Sequence, residues 1–281
     1  GATLAAGFGW VECGTVTPQP QAGNPRPRLL RLAEDRAVIN RLGFNNRGLE
    51  AFAAGLAGRR RGGPVGANIG VNRESADRIA DYIEGLTRLW GLADYFTLNI
   101  SSPNTPVLRA LQSGAALAEL LDAVARARSR LAAGGGQAPI FLKLAPDLAD
   151  AEIGPIVETA LRFSLDGLIV GNTTTARPAG LRGAHRGEAG GLSGAPLMAP
   201  STRLLRSFHQ AAAGRLTLIG VGGVASGTDA YAKIRAGASA VQLYSALVFA
   251  GPGLVPALRR DLAARLRADG FSSVAEAVGA R

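Results

Sequence analysis

Residues 93–106 read Ala93-Asp94-Tyr95-Phe96-Thr97-Leu98-Asn99-Ile100-Ser101-Ser102-Pro103-Asn104-Thr105-Pro106. The first half is an apolar run of the kind that forms a buried strand. The second half exchanges it for amides and hydroxyls, with two prolines that fix φ and stiffen the turn. A helix is expected next, from about Ala115 to Ala132. A strand that opens into a polar loop and continues as a helix is one unit of a parallel α/β protein. In such folds the carboxyl ends of the strands are where sites are built.

The same beat runs in both directions along the chain. Strands are expected at Trp10–Val16, Val65–Ile69, Ile140–Leu144, Gly167–Gly171, Leu216–Val221 and Ala240–Tyr244. Helices are expected near Gly48–Ala57, Ser75–Trp90 (with Ser75 as N-cap), Ala151–Phe163, Ser201–Ala213, Gly227–Ala236 and Leu254–Ala268. Thr17–Phe44 reads as a long Pro-rich excursion. The count is seven strand–helix units, where a closed (β/α)8 TIM barrel needs eight. No linker or internal repeat beyond this beat divides the chain, so residues 1–281 are read as one barrel domain.

Composition narrows the function classes. The 281 residues are 47% hydrophobic, yet no run approaches the ~18 continuous apolar residues of a membrane-spanning helix. One cysteine, Cys13, excludes an internal disulfide, and with only His185 and His209 beside it no dedicated zinc site is expected. The net charge of +10 is spread over helices, and aromatics make up only 5%, so no nucleic-acid partner is expected. Arg59-Arg60-Arg61 reads as a solvated complement to a helix dipole. Of 31 basic residues, only Lys143 and Lys233 are lysine. Lys143 lies inside the apolar strand Ile140–Leu144, a costly place for an unpaired charge. Lys233, on an amphipathic helix, reads as a surface residue.

Gly220-Val221-Gly222-Gly223-Val224 follows an apolar strand, and the next strand ends in Tyr244-Ser245. Bare backbone amides can approach a phosphate closely, and loops after the last two strands of a barrel are a common phosphate site. Together they suggest a phosphorylated cofactor; a tight turn is the plain alternative. Gly190-Gly191-Leu192-Ser193-Gly194 reads as a third amide-rich loop. No nicotinamide-binding Gly-x-Gly-x-x-Gly opens a helix after a strand.

The loop Asn99–Pro106, and with it nearly the whole chain, resembles the class 2, quinone-linked dihydroorotate dehydrogenases. The resemblance implies a (β/α)8 barrel that binds FMN and oxidises dihydroorotate to orotate in pyrimidine synthesis, passing electrons to a quinone. It implies Ser102 as the general base, in place of the cysteine used by class 1 enzymes; Cys13 lies in a different strand. By the same resemblance, Asn40, Arg41, Leu42, Gly43, Phe44, Asn99, Asn104, Asn172 and Thr173 contact substrate. Thr15, Asn68, Asn99, Lys143, Gly171, Gly194, Gly223, Tyr244 and Ser245 contact FMN. Lys143 would place a fixed cation near the flavin's pyrimidine ring. Asparagines suit an orotate-like ring because each offers a donor and an acceptor on a short stem.

The family's first strand carries an Ala-Gly-Phe-Asp-Lys-like flavin segment. Ala5-Ala6-Gly7-Phe8 lacks the Asp-Lys and reads instead as the turn from a first helix into the second strand. The expectation is a chain without the first strand and without the helical pair that would hold quinone peripherally at the cytoplasmic side of a bacterial inner membrane. Val107 replaces a usual glycine, Gly171 stands where a hydroxyl residue is common, and Val71 and Arg73 replace lysines. The alternatives are another FMN barrel oxidoreductase, of class 1 or dihydropyrimidine type, and an inactive flavin-binding fragment.

Overall fold

The computed structural model describes residues 1–60, 62–102, 110–112 and 114–280. In chain order the elements are α1 (Ala2–Ala5), β1 (Val11–Val16), β2 (Leu29–Leu32), β3 (Ala37–Asn40), α2 (Gly48–Ala57), β4 (Val65–Ile69), α3 (Arg78–Leu89) and β5 (Tyr95–Asn99). There follow α4 (Gly114–Ala133), β6 (Ile140–Leu144), α5 (Asp150–Arg162), β7 (Gly167–Val170), β8 (Gly191–Gly194), α6 (Met198–Ala212) and β9 (Thr217–Val221). The chain continues through α7 (Gly227–Arg235), β10 (Ala240–Gln242), α8 (Leu247–Ala250), α9 (Leu254–Ala268) and α10 (Val274–Ala277).

Seven strands form one sheet in the order β1-β4-β5-β6-β7-β9-β10, every neighbouring pair parallel. The seven strands expected from the sequence are thus the seven strands of this sheet. Alternation along them sorts side chains onto two faces. Ile69, Phe96, Leu98, Leu142, Leu168 and Leu218 join Leu86, Leu120, Ile156 and Leu205 of the helices in one buried core. The intervening residues, among them Asn68, Thr97, Asn99 and Lys143, fall on the opposite face. The apolar face therefore fixes the strands on the helices, while the other face is left for polar groups.

The helix α3 begins later than expected. Its N-cap is Asp77, whose carboxylate accepts from the Ala80 amide at 2.9 Å, and Ser75 lies outside the helix. Arg59 also departs from the solvated reading: it pairs with Asp94 at 2.8 Å.

A second sheet, in the order β2-β3-β8, is antiparallel. Leu32, Ala37, Ile39, Leu181 and Leu192 give it a small core of its own. It lies partly within the Thr17–Phe44 excursion and recruits Gly191–Gly194, which the sequence suggested to be a flexible loop. Glycine makes this strand possible. A Cβ at Gly190 would stand 2.5 Å from the Asn40 carbonyl oxygen, and one at Gly194 would stand 2.3 Å from that of Arg36. The sheet reaches the barrel through a bridge between Leu192 and Thr174.

Candidate active site

The polar face converges at the carboxyl ends of the parallel strands. Thr15 Oγ1 donates to Asn68 Oδ1 at 2.6 Å, and Asn99 Nδ2 donates to Thr15 Oγ1 at 2.9 Å. Asn99 Oδ1 accepts from Ser101 Oγ at 3.0 Å, and Ser101 Oγ accepts from Asn172 Nδ2 at 2.8 Å. Asn172 Oδ1 in turn accepts from the Thr173 amide at 2.8 Å. One continuous hydrogen-bonded chain therefore runs from β1 across β4 and β5 to the segment after β7. Its members hold one another in fixed orientations, as recognition of a rigid polar ring requires.

The chain is anchored at greater depth by Glu12. Its carboxylate accepts from Asn68 Nδ2 at 2.7 Å, Thr97 Oγ1 at 2.7 Å and Gln242 Nε2 at 3.1 Å. Tyr82, fully buried on α3, donates its hydroxyl to the Asn99 carbonyl at 2.8 Å. Burial raises the phenol's pKa, so it remains a donor. Lys143 is in register with Asn99 on the adjacent strand, which puts their side chains on the same face.

Ser102 is buried beside Ser101 at the end of β5. Ser101 already uses its hydroxyl both ways, donating to Asn99 and accepting from Asn172. Cys13 is in register with Ala67 of the core and packs against that core. Burial pushes its thiol pKa up, which disfavours a thiolate there.

Other expected site residues are distributed as follows. Asn40 ends β3 and donates to the Gly191 carbonyl at 3.4 Å. Arg41 is engaged by Glu188 at 2.9 Å and by the Ala189 carbonyl at 3.0 Å. Leu42 and Gly43 continue the segment, with Leu42 exposed, and Phe44 packs against the main core. Gly171 is buried against Pro146. Asn104 and Val107 lie outside the described residues.

After β10, Ser245 Oγ donates to Ser193 Oγ of β8 at 2.7 Å, and Tyr244 is 82% exposed. Gly223, at φ +80°, faces the start of α6, where a Cβ would stand 2.4 Å from the Met198 nitrogen. The bare backbone of this turn and the Ser193–Ser245 hydroxyl pair are the kinds of donor a phosphate needs. The polar row from Thr15 to Lys143 offers the amides, hydroxyl and cation that a flavin ring would use, so the residues present fit FMN.

Glu12, Thr97, Ser101 and Gln242 were not singled out from the sequence. Glu12 carried a usable signal: like Lys143, it is a charge inside an otherwise apolar strand. Lys233 corrects an expectation outright. It is not at the surface but fully buried, donating from Nζ to Ser201 Oγ at 2.5 Å.

A parallel, curled α/β sheet with its polar cluster at the carboxyl ends of the strands defines a barrel-type enzyme of the TIM class. Residues 2–266 match the family described as Dihydroorotate dehydrogenase, and the chain belongs to that family. The chain is 58% identical over 280 residues to a Dihydroorotate dehydrogenase (quinone) of Parvibaculum lavamentivorans, covering 99% of this chain and 79% of that protein. It is 54% identical over 281 residues to the protein of the same name from Azorhizobium caulinodans, again covering 99% and 79%. A crystal structure of DHODH from Eimeria tenella in complex with ferulenol superposes with a TM-score of 0.94 at 39% identity, covering 99% of this chain and 80% of that one.

Proposed function

We propose that this protein binds FMN, oxidises dihydroorotate to orotate in pyrimidine synthesis and passes the electrons to a quinone. The observation that carries the reading is the single hydrogen-bonded chain Glu12–Asn68–Thr15–Asn99–Ser101–Asn172, built in a chain whose relatives share the name Dihydroorotate dehydrogenase (quinone).

Removal of two hydrogens from the substrate ring divides into a proton from one carbon and a hydride from its neighbour. FMN, when bound, supplies the hydride acceptor. Ser102 takes the proton. A serine hydroxyl is a weak base and needs a water-poor setting and an outlet for its own proton, a role that falls to Thr173. Asn40, Asn99, Asn104 and Asn172 read the ring's polar edge. Arg41, already paired with Glu188, orders the Asn40–Phe44 segment. Lys143 brings positive charge to the row that holds Asn99, and Gly194, Gly223, Tyr244 and Ser245 hold the phosphate end of the cofactor.

An apolar electron acceptor is supported by the exposed side chains Leu29, Tyr244 and Val248 and by Arg31 lying over the Phe249 ring at 5.6 Å. Among the described residues no helix is long and apolar enough to cross a membrane. Peripheral docking on an anionic inner-membrane surface agrees with the net charge of +10.

The test is a visible spectrum of the purified chain before and after anaerobic dihydroorotate, followed by addition of a soluble quinone. Flavin bands that bleach and then return are the expected result. Flavin that stays oxidised would point to an inactive fragment. Return of the bands with fumarate or a nicotinamide but not with quinone would assign another acceptor.

A further inference from the structure

Lys233 is one of two lysines in a chain that otherwise meets every need for a basic residue with arginine. Its side chain is entirely buried, and Nζ donates to Ser201 Oγ at 2.5 Å. Burial lowers its pKa from the ordinary lysine value to about 7, against the opposing field of Asp229 on the same helix. Arginine keeps its charge under all physiological conditions, whereas lysine can give up its proton and remain a hydrogen-bond donor.

The neighbourhood is shaped around this side chain. Gly220 on β9 has no Cβ; one would fall 3.3 Å from Lys233 Cβ and 3.0 Å from Leu205 Cδ2. Ser201 Oγ lies 2.5 Å from the Leu197 carbonyl oxygen, just before α6, and 3.0 Å from the Gly222 carbonyl oxygen, just after β9. With a lone pair occupied by Lys233, the single hydroxyl proton is shared between these two carbonyls, the shorter contact being to Leu197. The turn is equally tight on its other side. A Cβ at Gly222 would stand 2.9 Å from Ser201 Oγ. The lysine, the serine, the helix start and the glycine turn are packed as one piece.

We infer that Lys233 is a positioning residue for the phosphate end of the cofactor, fixing the Gly222–Gly223 turn against the start of α6 through Ser201. The inference rests on the proposed binding of FMN. Lys233 sits behind the turn and acts through it, so its removal should be felt by the phosphate rather than by the flavin ring.

FMN and riboflavin differ only in that phosphate, which makes them the probes. The full chain, stripped of flavin, is titrated with each by quenching of flavin fluorescence, in wild-type, Lys233→Met and Ser201→Ala forms, with folding checked by circular dichroism. The expected result is FMN affinity lowered about tenfold in Lys233→Met, as for the loss of one buried bridge, with riboflavin affinity held. Ser201→Ala should shift in the same direction, and it decides the question if Lys233→Met does not fold. A folded variant that keeps the wild-type preference for FMN overturns the inference alone. Equal loss of both ligands marks general loosening and overturns it too. A wild-type chain with no preference for FMN over riboflavin overturns the phosphate reading and this inference with it.

Discussion

Gln242 Nε2 donates to Glu12 Oε2 at 3.1 Å, so a side chain of the last strand in the sheet order holds a side chain of the first. No backbone ladder joins β10 to β1 among the described residues. The curled sheet is instead drawn together through one carboxylate, which also accepts from Asn68 on β4 and Thr97 on β5. The group that ties the first strand to the last is therefore the same group that orients Asn68, an asparagine proposed to contact flavin.

Glu12→Ala would leave three donors without their acceptor. A buried unsatisfied donor costs ~1–3 kcal/mol, and water entering the space left by the carboxylate offsets part of this, so a loss of about 2–4 kcal/mol is expected. Gln242→Ala removes one bond and should cost about 1 kcal/mol. Urea midpoints measure both. An unchanged midpoint in Glu12→Ala would show that the carboxylate does not tie the sheet.

The two adjacent serines should separate kinetically. Ser102→Ala is expected to lower kcat by about 10²–10⁴-fold, the usual contribution of a positioned base, with the flavin spectrum and orotate affinity preserved. Ser101→Ala breaks the link between Asn99 and Asn172 and should raise KM for dihydroorotate more than it lowers kcat. A reversed pattern would transfer the base to Ser101.

Tyr82→Phe tests how firmly Asn99 is held from behind. The lost hydrogen bond to the Asn99 carbonyl is worth about 1 kcal/mol of stability. Because the ring stays packed, the change should appear as a lower thermal midpoint with a modest rise in KM. No change in either would remove Tyr82 from the support of the site.

The parallel sheet was legible because its signal is local. Val65–Ile69 and Ile140–Leu144 are apolar runs between turn residues, and the structure forms strands over those same residues. The antiparallel sheet was not legible. Gly191–Gly194 has no strand-forming composition and pairs with Ala37–Asn40, about 150 positions earlier, through close backbone approach that only glycine allows. Asp77 and Ser75 are both good caps, and only the observed bond to Ala80 separates them. Thr15, Asn68, Asn99 and Asn172, each unremarkable alone, meet in one network because they lie at the carboxyl ends of strands of one parallel sheet, Asn172 through Ser101. Lys233 was misread because an amphipathic pattern does not reveal a lysine that turns inward beside a missing side chain at Gly220.

That buried lysine predicts a pH dependence of stability. Its folded-state pKa is about 7 and its ordinary value 10.5. Between those values the unfolded chain binds the proton and the folded chain does not, so stability rises as pH increases across the window. Below about pH 7 both states carry the charge, and the unfavourable contribution is at its fullest. The slope contributed by this one group is at most about 1.4 kcal/mol per pH unit. Asp229, on the same helix, and the Asp261–Arg265 pair, on the helix packed against it, remain in Lys233→Met. The difference between variant and wild type therefore isolates the lysine. Urea unfolding of the two forms at pH 7, 8 and 9 should show wild type gaining relative to Lys233→Met at each step. A constant difference would mean that the folded protein keeps Lys233 charged through pH 9, and that the Ser201 contact is made by an ammonium group.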